Sequence, residues 1–236
     1  PCLFYHKERN LRCVVHGDDF TILGYPSDLD WFRESIQGRF EVKIKARKGH
    51  ENSDDKATRV LNRIVQWTPN GIEYEADQRH AEIIVRMCGL NSDSRGTTVT
   101  GDRTKEGDIT ELDSALASVY RGLTARANYL SQDRGDIKFA VKELSRHMSK
   151  PRVKDQELMK KLARYLVSHT RTVQLFEPQT NPKKITCWSD SDYAGCLETR
   201  KSTSGGIITH GKHTLKEWST TQNVIALSSG EAEYYA

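Results

Sequence analysis

One segment near the carboxyl terminus carries the clearest fold signal, and it reads Trp188-Ser189-Asp190-Ser191-Asp192-Tyr193-Ala194-Gly195. The alternation of apolar and polar residues that leads into it predicts a β-strand whose end bears two aspartates on one face. Two further alternating runs follow around a turn near Gly211, and a helix is predicted to begin at Ser228 or Ser229. In this arrangement Asp190 on the strand and Glu233 on the helix can converge on one cation. Closely spaced carboxylates are costly to keep ionised unless a cation neutralises them.

These residues also have ordinary structural explanations. Glu231 and Glu233 fall in the first turn of the predicted helix, where the helix dipole favours a carboxylate without any metal. The turn from Lys201 to Gly205 is either purely structural or contacts phosphate through hydroxyls and backbone amides. The sequence leaves these alternatives open. Core packing is a better interpretation than base stacking for the large aromatic residues Trp188, Trp218, Tyr193 and Tyr234.

A second acidic pair, Asp18 and Asp19, lies near the amino terminus. Residues 11–15 and 20–24 are apolar runs predicted to pair as a hairpin, which places the two aspartates at its tip. A Gly-Asp pair is common turn chemistry that needs no metal. Together with the acids near the carboxyl terminus, however, the pair suits a second cation site. Two metal ions held by carboxylates are the usual device for phosphodiester chemistry.

Helix and strand signals also alternate along the rest of the chain. They predict, in order, a helix from Ser27 to Gly38, a strand over Phe40–Ile44, a hairpin over 60–74, and a helix capped by Asp77. Residues 91–113 are polar and predict a linker. Three amphipathic helices follow between Leu116 and Leu166, and their polar faces are mostly Lys and Arg.

The charge distribution favours a nucleic-acid partner. The whole chain has a formal net charge of +4, but residues 118–184 contain 15 Lys and Arg against 6 Asp and Glu. Such a surplus can simply keep a helical surface hydrated, or it can follow a phosphate backbone. The candidate contacts to that backbone are Arg121, Arg126, Lys142, Arg146, Lys160, Lys161, Arg164, Lys201 and Ser202.

The composition argues against several other classes of protein. The 236 residues are 36% hydrophobic and 29% charged, as in an ordinary globular chain. No apolar run approaches the roughly 18 residues that a membrane span needs. The five cysteines show no C-x-x-C spacing, which favours neither a disulfide framework nor a zinc site and indicates a reducing, intracellular compartment. A phosphate-binding glycine loop and a G-x-S-x-G elbow are both missing, which disfavours nucleotide-fuelled motors and serine hydrolases.

The order of motifs resembles one family, the Pol polyprotein of Ty1/copia retrotransposons, from the end of the reverse-transcriptase palm into the ribonuclease H domain. The resemblance covers nearly the whole chain. The stretches that carry it are His16-Gly17-Asp18-Asp19, Tyr120-Arg121, Tyr129-Leu130, Asp136-Ile137, Leu144-Ser145-Arg146-His147-Met148-Ser149-Lys150-Pro151, Arg164-Tyr165-Leu166, Asp190-Ser191-Asp192-Tyr193-Ala194-Gly195, Arg200-Lys201-Ser202-Thr203-Ser204-Gly205, Trp218, Gln222 and Ser228-Ser229-Gly230-Glu231-Ala232-Glu233-Tyr234.

The resemblance implies an α+β fold in three parts. Residues 1–95 would be a remnant of the palm with a thumb-like region, and residues 96–182 a linker and a basic helical connection. Residues 183–236 would form an incomplete ribonuclease-H-like mixed sheet. The implied partners are an RNA template, a DNA primer, the RNA–DNA hybrid and the remainder of Pol, in a cytoplasmic particle and the nucleus and without a membrane.

The resemblance also implies RNA-directed DNA synthesis followed by degradation of the RNA strand. Asp18 and Asp19 would be polymerase ligands of Mg²⁺, and Asp190 and Glu233 would be ribonuclease H ligands of Mg²⁺. Glu233 is preferred to Glu231, because a glutamate followed three residues later by an alanine matches the spacing of ribonuclease H helices.

The chain departs from the family pattern at several positions. His16 and Gly17 replace a tyrosine and a bulky apolar residue, and Gly135 stands where a proline is usual. The third polymerase aspartate and the later ribonuclease H aspartates have no counterpart here, so we expect a fragment with little or no turnover by itself. The alternative is a non-catalytic remnant that binds nucleic acid through its basic helices.

Overall fold

Strands and helices alternate along the chain in a computed structural model that describes residues 2–100 and 107–236. The internal contacts divide the chain into two units, Pro1–Arg47 and Lys48–Ala236. The described residues form three antiparallel sheets together with helices, which confirms the α+β class.

The first unit contains a three-stranded sheet and one helix: β1 Leu3–His6, β2 Leu11–His16, β3 Asp19–Leu23 and α1 Pro26–Gln37. The predicted hairpin is confirmed, and its turn uses Gly17 at a φ of 61°, which suits glycine. Strand β1 was not predicted; it pairs with β2 on the side away from β3. The helix begins at Pro26 and not at Ser27, because proline at the first helical position is preorganised and lacks an N–H to satisfy.

The predicted strand over Phe40–Ile44 is wrong. No ladder of backbone hydrogen bonds includes these residues in the described part of the chain. A strand needs a partner for its backbone groups, whatever its side-chain alternation. The charged residues just beyond this stretch instead form ion pairs with the acids of the first unit, Lys45 with Asp19 and Arg47 with Asp30.

The second unit begins with a four-stranded antiparallel sheet in the order β4-β5-β6-β7. Its strands are β4 Ala57–Val60, β5 Arg63–Thr68, β6 Gly71–Glu75 and β7 Val173–Phe176. The hairpin of β5 and β6 was predicted from the turn at Pro69-Asn70. Strand β7 was not, because its partner β6 lies about a hundred residues away in the chain and only four residues pair.

Four helices build the core of the second unit: α2 Gln78–Met87, α3 Ser114–Leu130, α4 Lys138–Ser145 and α5 Val153–Ser168, with a 3₁₀ turn at Gly135–Ile137 before α4. All were predicted from apolar residues at helical spacing. Asp77 caps α2 by accepting a hydrogen bond from the backbone N–H of Arg79, as expected. The fully buried side chains include Ile84, Leu130, Ile137, Leu144, Leu162 and Leu166.

Hydrogen-bonded ion pairs fix the helices to the four-stranded sheet. Asp133, after α3, accepts bonds from Arg63 Nε at 2.9 Å and from the Tyr74 hydroxyl at 2.8 Å. Arg171 binds the buried carboxylate of Glu75 through two nitrogens at 2.7 and 2.9 Å. Removing one partner from such a pair is destabilising, because the other charge stays buried without compensation.

A third sheet follows in the order β10-β9-β8, with β8 Ile185–Asp192, β9 Thr203–His210, β10 His213–Thr221 and then α6 Ser229–Tyr234. The three predicted strands and the helix start are confirmed. The expectation of a mixed sheet is wrong for these strands, because all their pairings are antiparallel. The two-residue turn between β9 and β10 reverses the chain, whereas a parallel neighbour needs a long crossover.

The predicted linker, residues 91–113, is without helix in its described part, but it is not detached. The N–H of Leu112 donates to Pro151 O at 2.9 Å, and the N–H of Val153 donates to Thr110 O at 3.0 Å. Residues 101–106 of this linker lie outside the described residues. The family boundaries expected near residues 95 and 182 remain predictions; β6 pairs with β7 across the first of them.

Among the described residues, we find no helix with the length and apolar character required to cross a bilayer.

The buried carboxylate of Asp155 should make stability depend on pH. Although burial raises its pKa, hydrogen bonds from His147 and Arg152 lower that pKa to about 2. The ordinary value is near 4, so the stabilisation is complete above about pH 4 and is lost as the pH falls towards 2. We expect Asp155→Asn to lower the free energy of unfolding by about 2 kcal/mol at neutral pH, with the difference vanishing in acid. Urea titrations from pH 7 to pH 2 measure this, with the exposed Asp93→Asn as control.

Candidate functional site

A cleft of about 460 Å³ lies between the start of α4 and the β8–β10 sheet. Asp190 and Asp192 both line it, since residues two apart on a strand share a face. The other lining residues are Gly135, Lys138, Phe139, Thr203, Gly205, Gly206, Ile207, Glu217, Trp218 and Ser219. The cleft therefore combines carboxylates, a lysine and two aromatic rings in one concave surface.

The two aspartates of the cleft have different surroundings. Asp192 Oδ1 accepts a hydrogen bond from the backbone N–H of Thr203 at 2.5 Å, which ties the end of β8 to the start of β9. Lys142 Nζ of α4 donates to Thr203 Oγ1 at 2.7 Å. Asp190 is exposed, and its carboxylate forms no hydrogen bond or ion pair within residues 2–100 and 107–236. Asp190 is thus the aspartate that is open to a ligand.

The two glutamates of α6 are also distinguished by their contacts. Ser228 caps the helix by accepting a bond from the N–H of Glu231, and Glu231 Oε2 accepts one from the N–H of Leu227 at 2.7 Å. This reciprocal arrangement resembles a capping box and occupies the Glu231 carboxylate. Glu233 Oε1 instead accepts from the N–H of Ser191, next to Asp190 on β8, at 3.3 Å. The structure therefore brings Glu233, and not Glu231, to the strand that carries Asp190.

Mg²⁺ takes oxygen ligands and is commonly held by one or two carboxylates together with substrate phosphates. The donor chemistry of Asp190 and Glu233 fits such an ion, and no cation of the described residues pairs with either. In the described part of the chain there is no group of three or more His, Cys, Asp or Glu side chains suited to a metal. Asp190 and Glu233 are therefore candidate ligands that belong to no larger metal-binding cluster of the described residues.

The fit is poorer for the acids of the first unit. Asp18 is exposed at the hairpin turn, and Asp19 begins β3 opposite His16. The Asp19 carboxylate forms an ion pair with Lys45, and its hydrogen bond raises the pKa of that lysine. Lysine already supplies the positive charge that a metal would bring to Asp19.

The predicted basic contacts divide into two sets. Arg121, Lys160 and Arg164 are exposed, and Arg126 is partly exposed; none of the four side chains forms an ion pair in the described structure. The other five make contacts within the chain. Lys142 and Arg146 each pair with Glu143, Lys161 has a partner of its own, Lys201 Nζ donates to Asn223 O, and the fully buried Ser202 accepts from the N–H of Ala194.

Burial excludes Ser202 from contact with a phosphate, and the partner contacts weaken the prediction for Lys142 and Arg146. Only 12% of the Lys142 side chain and 20% of the Arg146 side chain are exposed. Arg146 also donates to Cys196 Sγ at 2.6 Å. The turn from Lys201 to Gly205 is structural in its observed contacts.

Sequence reasoning missed the residues that shape the cleft opposite Asp190. A Cβ on Gly206 would lie 2.1 Å from the Trp218 ring, and a Cβ on Gly135 would lie 1.8 Å from Glu217 Oε2. Both glycines thus make room for side chains of β10. No local sequence pattern predicts these contacts, because the two residues of each pair are distant in sequence. Trp218 was predicted to lie in a core, and it lines the cleft instead.

Known proteins are similar to parts of this chain. The Retrovirus-related Pol polyproteins from transposons RE1 and RE2 of Arabidopsis thaliana are 35% and 34% identical over 115 residues, which are 49% of this chain. The aligned part spans only 8% of the length of each polyprotein. Secreted RxLR effector protein 161 of Plasmopara viticola is 37% identical over 103 residues, 44% of this chain and 72% of that protein. These names describe different biological settings, so similarity by itself assigns no activity. No family model and no solved structure matches the chain.

The different roles of the two α6 glutamates can be tested. Removing a helix cap costs about 1 kcal/mol, which corresponds to roughly fivefold faster local opening. We expect Glu231→Ala to accelerate hydrogen exchange of the Ala232 and Tyr235 amides by about that factor, and Glu233→Ala to leave it nearly unchanged. Mass-spectrometric exchange of the α6 peptide measures both. Equal acceleration by the two variants would contradict the assignment.

Proposed function

We propose that this chain, which belongs to the retrovirus-related Pol polyproteins of Ty1/copia-type retrotransposons, contributes an RNA–DNA hybrid-binding surface and two ribonuclease H carboxylates to the complete Pol. The complete polyprotein copies RNA into DNA and degrades the RNA of the hybrid. Its partners are the RNA template, the DNA primer and the remainder of Pol, in a cytoplasmic particle and the nucleus. The chain by itself binds the hybrid with little or no turnover.

One observation carries the nuclease part of the proposal. The Glu233 carboxylate reaches the backbone of Ser191, and Ser191 adjoins the open Asp190. A strand carboxylate and a helix carboxylate at one strand end give two oxygen ligands of the type that Mg²⁺ prefers. When bound, Mg²⁺ supplies charge stabilisation to the attacking and leaving oxygens of a phosphodiester. Asp190 and Glu233 position that charge, while Asp192 and Glu231 hold the strand and the helix in place.

The polymerase part of the proposal assigns Asp18 and Asp19 as metal ligands in the complete Pol. Their position at the hairpin turn supports this assignment, because Asp18 is exposed and Asp19 beside it is partly exposed. Lys45 must then release Asp19 when Mg²⁺ binds.

The binding part of the proposal rests on the exposed cations of α3 and α5, namely Arg121, Arg126, Lys160 and Arg164. Cations without internal partners lose no ion pair when they meet a phosphate, so their full attraction contributes to binding. Lys142, by contrast, would have to give up Thr203 and Glu143. The alternative is a non-catalytic remnant that binds nucleic acid through the same exposed cations but has no nuclease or polymerase activity.

The salt dependence of hybrid binding tests the surface. Each phosphate contact contributes about 0.9 to the slope of log K against log salt. We expect Arg121→Ala and Arg164→Ala each to weaken binding of a 20-base-pair RNA–DNA hybrid and to reduce the slope by about 1. Arg121→Lys keeps the charge and is the control. A slope that stays the same in both alanine variants would remove this surface from the proposal.

Magnesium dependence tests the carboxylates. We expect Mg²⁺, at constant ionic strength, to strengthen hybrid binding by the wild-type chain and to have no such effect in Asp190→Asn or Glu233→Gln, because the ion needs both carboxylates and a phosphate. Asp93→Asn serves as control. RNA cleavage that Asp190→Asn abolishes would assign nuclease activity to the chain itself. Binding without any Mg²⁺ response would favour the non-catalytic remnant.

A further inference from the structure

Two cationic side chains at the start of α5, those of Arg152 and Lys154, donate hydrogen bonds to the carboxylate of Glu198, which lies in the loop between β8 and β9. Arg152 Nη1 and Lys154 Nζ donate to the same oxygen, Oε1, at 3.0 and 3.2 Å. His147 Nε2 lies 3.6 Å from the other oxygen, Oε2. Hydrogen bonds from Arg152 and then Lys154 lower the pKa of Glu198 to about 2, so the group is a full anion at neutral pH.

The cations of this cluster are fixed by contacts of their own. The Arg152 Nε donates to Asp155 Oδ2 at 3.1 Å, and its Nη2 contacts the His147 ring. The backbone N–H of Lys154 donates to Asp108 O at 2.9 Å. Only 16% of the Arg152 side chain and 17% of the Lys154 side chain are exposed. If Glu198 left, the Arg152 side chain would thus keep its contacts with Asp155 and His147, and the backbone of Lys154 would stay anchored.

Glu198 itself is the movable member of the cluster. Half of its side chain, 51%, is exposed, as are the neighbouring residues Leu197 and Thr199. The loop also holds two non-glycine residues at positive φ, Ala194 at 51° and Arg200 at 58°, a conformation that costs energy. The loop is anchored independently of Glu198, because Arg146 binds Cys196. The acid can therefore rotate away while the base of the loop stays in place.

We infer that Arg152 and Lys154 form an anion site for a backbone phosphate of the bound nucleic acid, and that Glu198 occupies this site as an internal competitor. Carboxylate and phosphate oxygens accept the same charge-assisted bonds from a guanidinium and an ammonium group. The phosphate carries its charge to the site, so the exchange replaces one anion by another. While Glu198 occupies the site, its negative charge offsets the charge of the cations. A ligand must displace Glu198 in order to bind, and a duplex with many phosphates is therefore favoured.

The location of this anion site connects it with the cleft and rests on the proposed function. The loop that carries Glu198 runs from Asp192 to Thr203, and both of these residues line the cleft beside Asp190. A hybrid whose scissile phosphate lies at Asp190 would place neighbouring phosphates along the loop. The site would then hold the backbone while the carboxylates hold the ion.

If Glu198 competes with a phosphate, removal of its charge should strengthen binding of the hybrid. We expect Glu198→Gln to bind the RNA–DNA hybrid at least threefold more tightly than the wild type, with a salt slope steeper by about 1, because one additional phosphate contact is gained without competition. Glu157→Gln removes one exposed acid from α5 and changes the net charge equally, so it is the matched control. Lys154→Ala in the Glu198→Gln background should remove the gain.

Several outcomes decide the matter. Near-ultraviolet circular dichroism first establishes that each variant is folded, with Glu198→Asp as a second variant that keeps the charge and should bind like the wild type. A folded Glu198→Gln chain that binds no better than Glu157→Gln overturns the inference. If no variant binds hybrid, the proposed function fails, and inorganic pyrophosphate becomes the probe. Tighter pyrophosphate binding by Glu198→Gln than by the wild type then supports the anion site, and equal binding overturns it.

Discussion

The packing of α4 against the β8–β10 sheet is the contact on which the candidate site depends. It is fixed by the bond from Lys142 Nζ to Thr203 Oγ1 and by the bond from the Thr203 N–H to Asp192. Both bonds involve a charged group in a partly buried place, where hydrogen bonds are stronger than in water. This contact gives the sheet face its opposite wall, and without that wall Asp190 would lie on an open sheet. Gly135 permits the close approach, since a side chain there would collide with Glu217 of β10, and Gly206 leaves room for the Trp218 ring within the sheet.

The acids of this region divide their tasks by geometry. Asp192 and Glu231 are engaged by backbone N–H groups and hold a strand end and a helix start. Glu233 contacts the backbone of Ser191, next to Asp190, and neither carboxylate pairs with a cation among the described residues. A set of four acids in sequence is thus two structural acids and two candidate ligands. The division follows from the strength of these backbone contacts: Asp192 and Glu231 accept short N–H bonds of 2.5 and 2.7 Å, whereas the bond from Ser191 to Glu233 is 3.3 Å long and Asp190 accepts none among the described residues.

The basic residues show a similar division, and it changes how the charge surplus is understood. Several cations of the helical segment are neutralised by nearby acids: Arg146 pairs with Glu143 of its own helix, Arg152 with Asp155, and Arg152 also with Glu198 of the loop between β8 and β9. On α3 and α5, Arg121, Lys160 and Arg164 remain exposed and form no ion pair among the described residues. A net count over a segment cannot separate these groups, because a paired arginine and an exposed one contribute equally to it. The Glu198 cluster lies between these classes, because its cations are paired but the acid is the exposed partner.

The sequence by itself determined the helices, the hairpins, the order of motifs and, through them, the family. Those features depend on local signals, such as the apolar period of α5, the Asp77 cap and the turn at Gly17, which need no distant partner. Tertiary structure alone decided that Phe40–Ile44 is not a strand, that β7 pairs with β6, and that Ser202 is buried. It also decided that Glu233, and not Glu231, contacts the strand that carries Asp190, and that Glu217 and Trp218 line the same cleft. The physical reason is that pairing, burial and charge compensation depend on residues far apart in the chain, whose meeting no local pattern encodes.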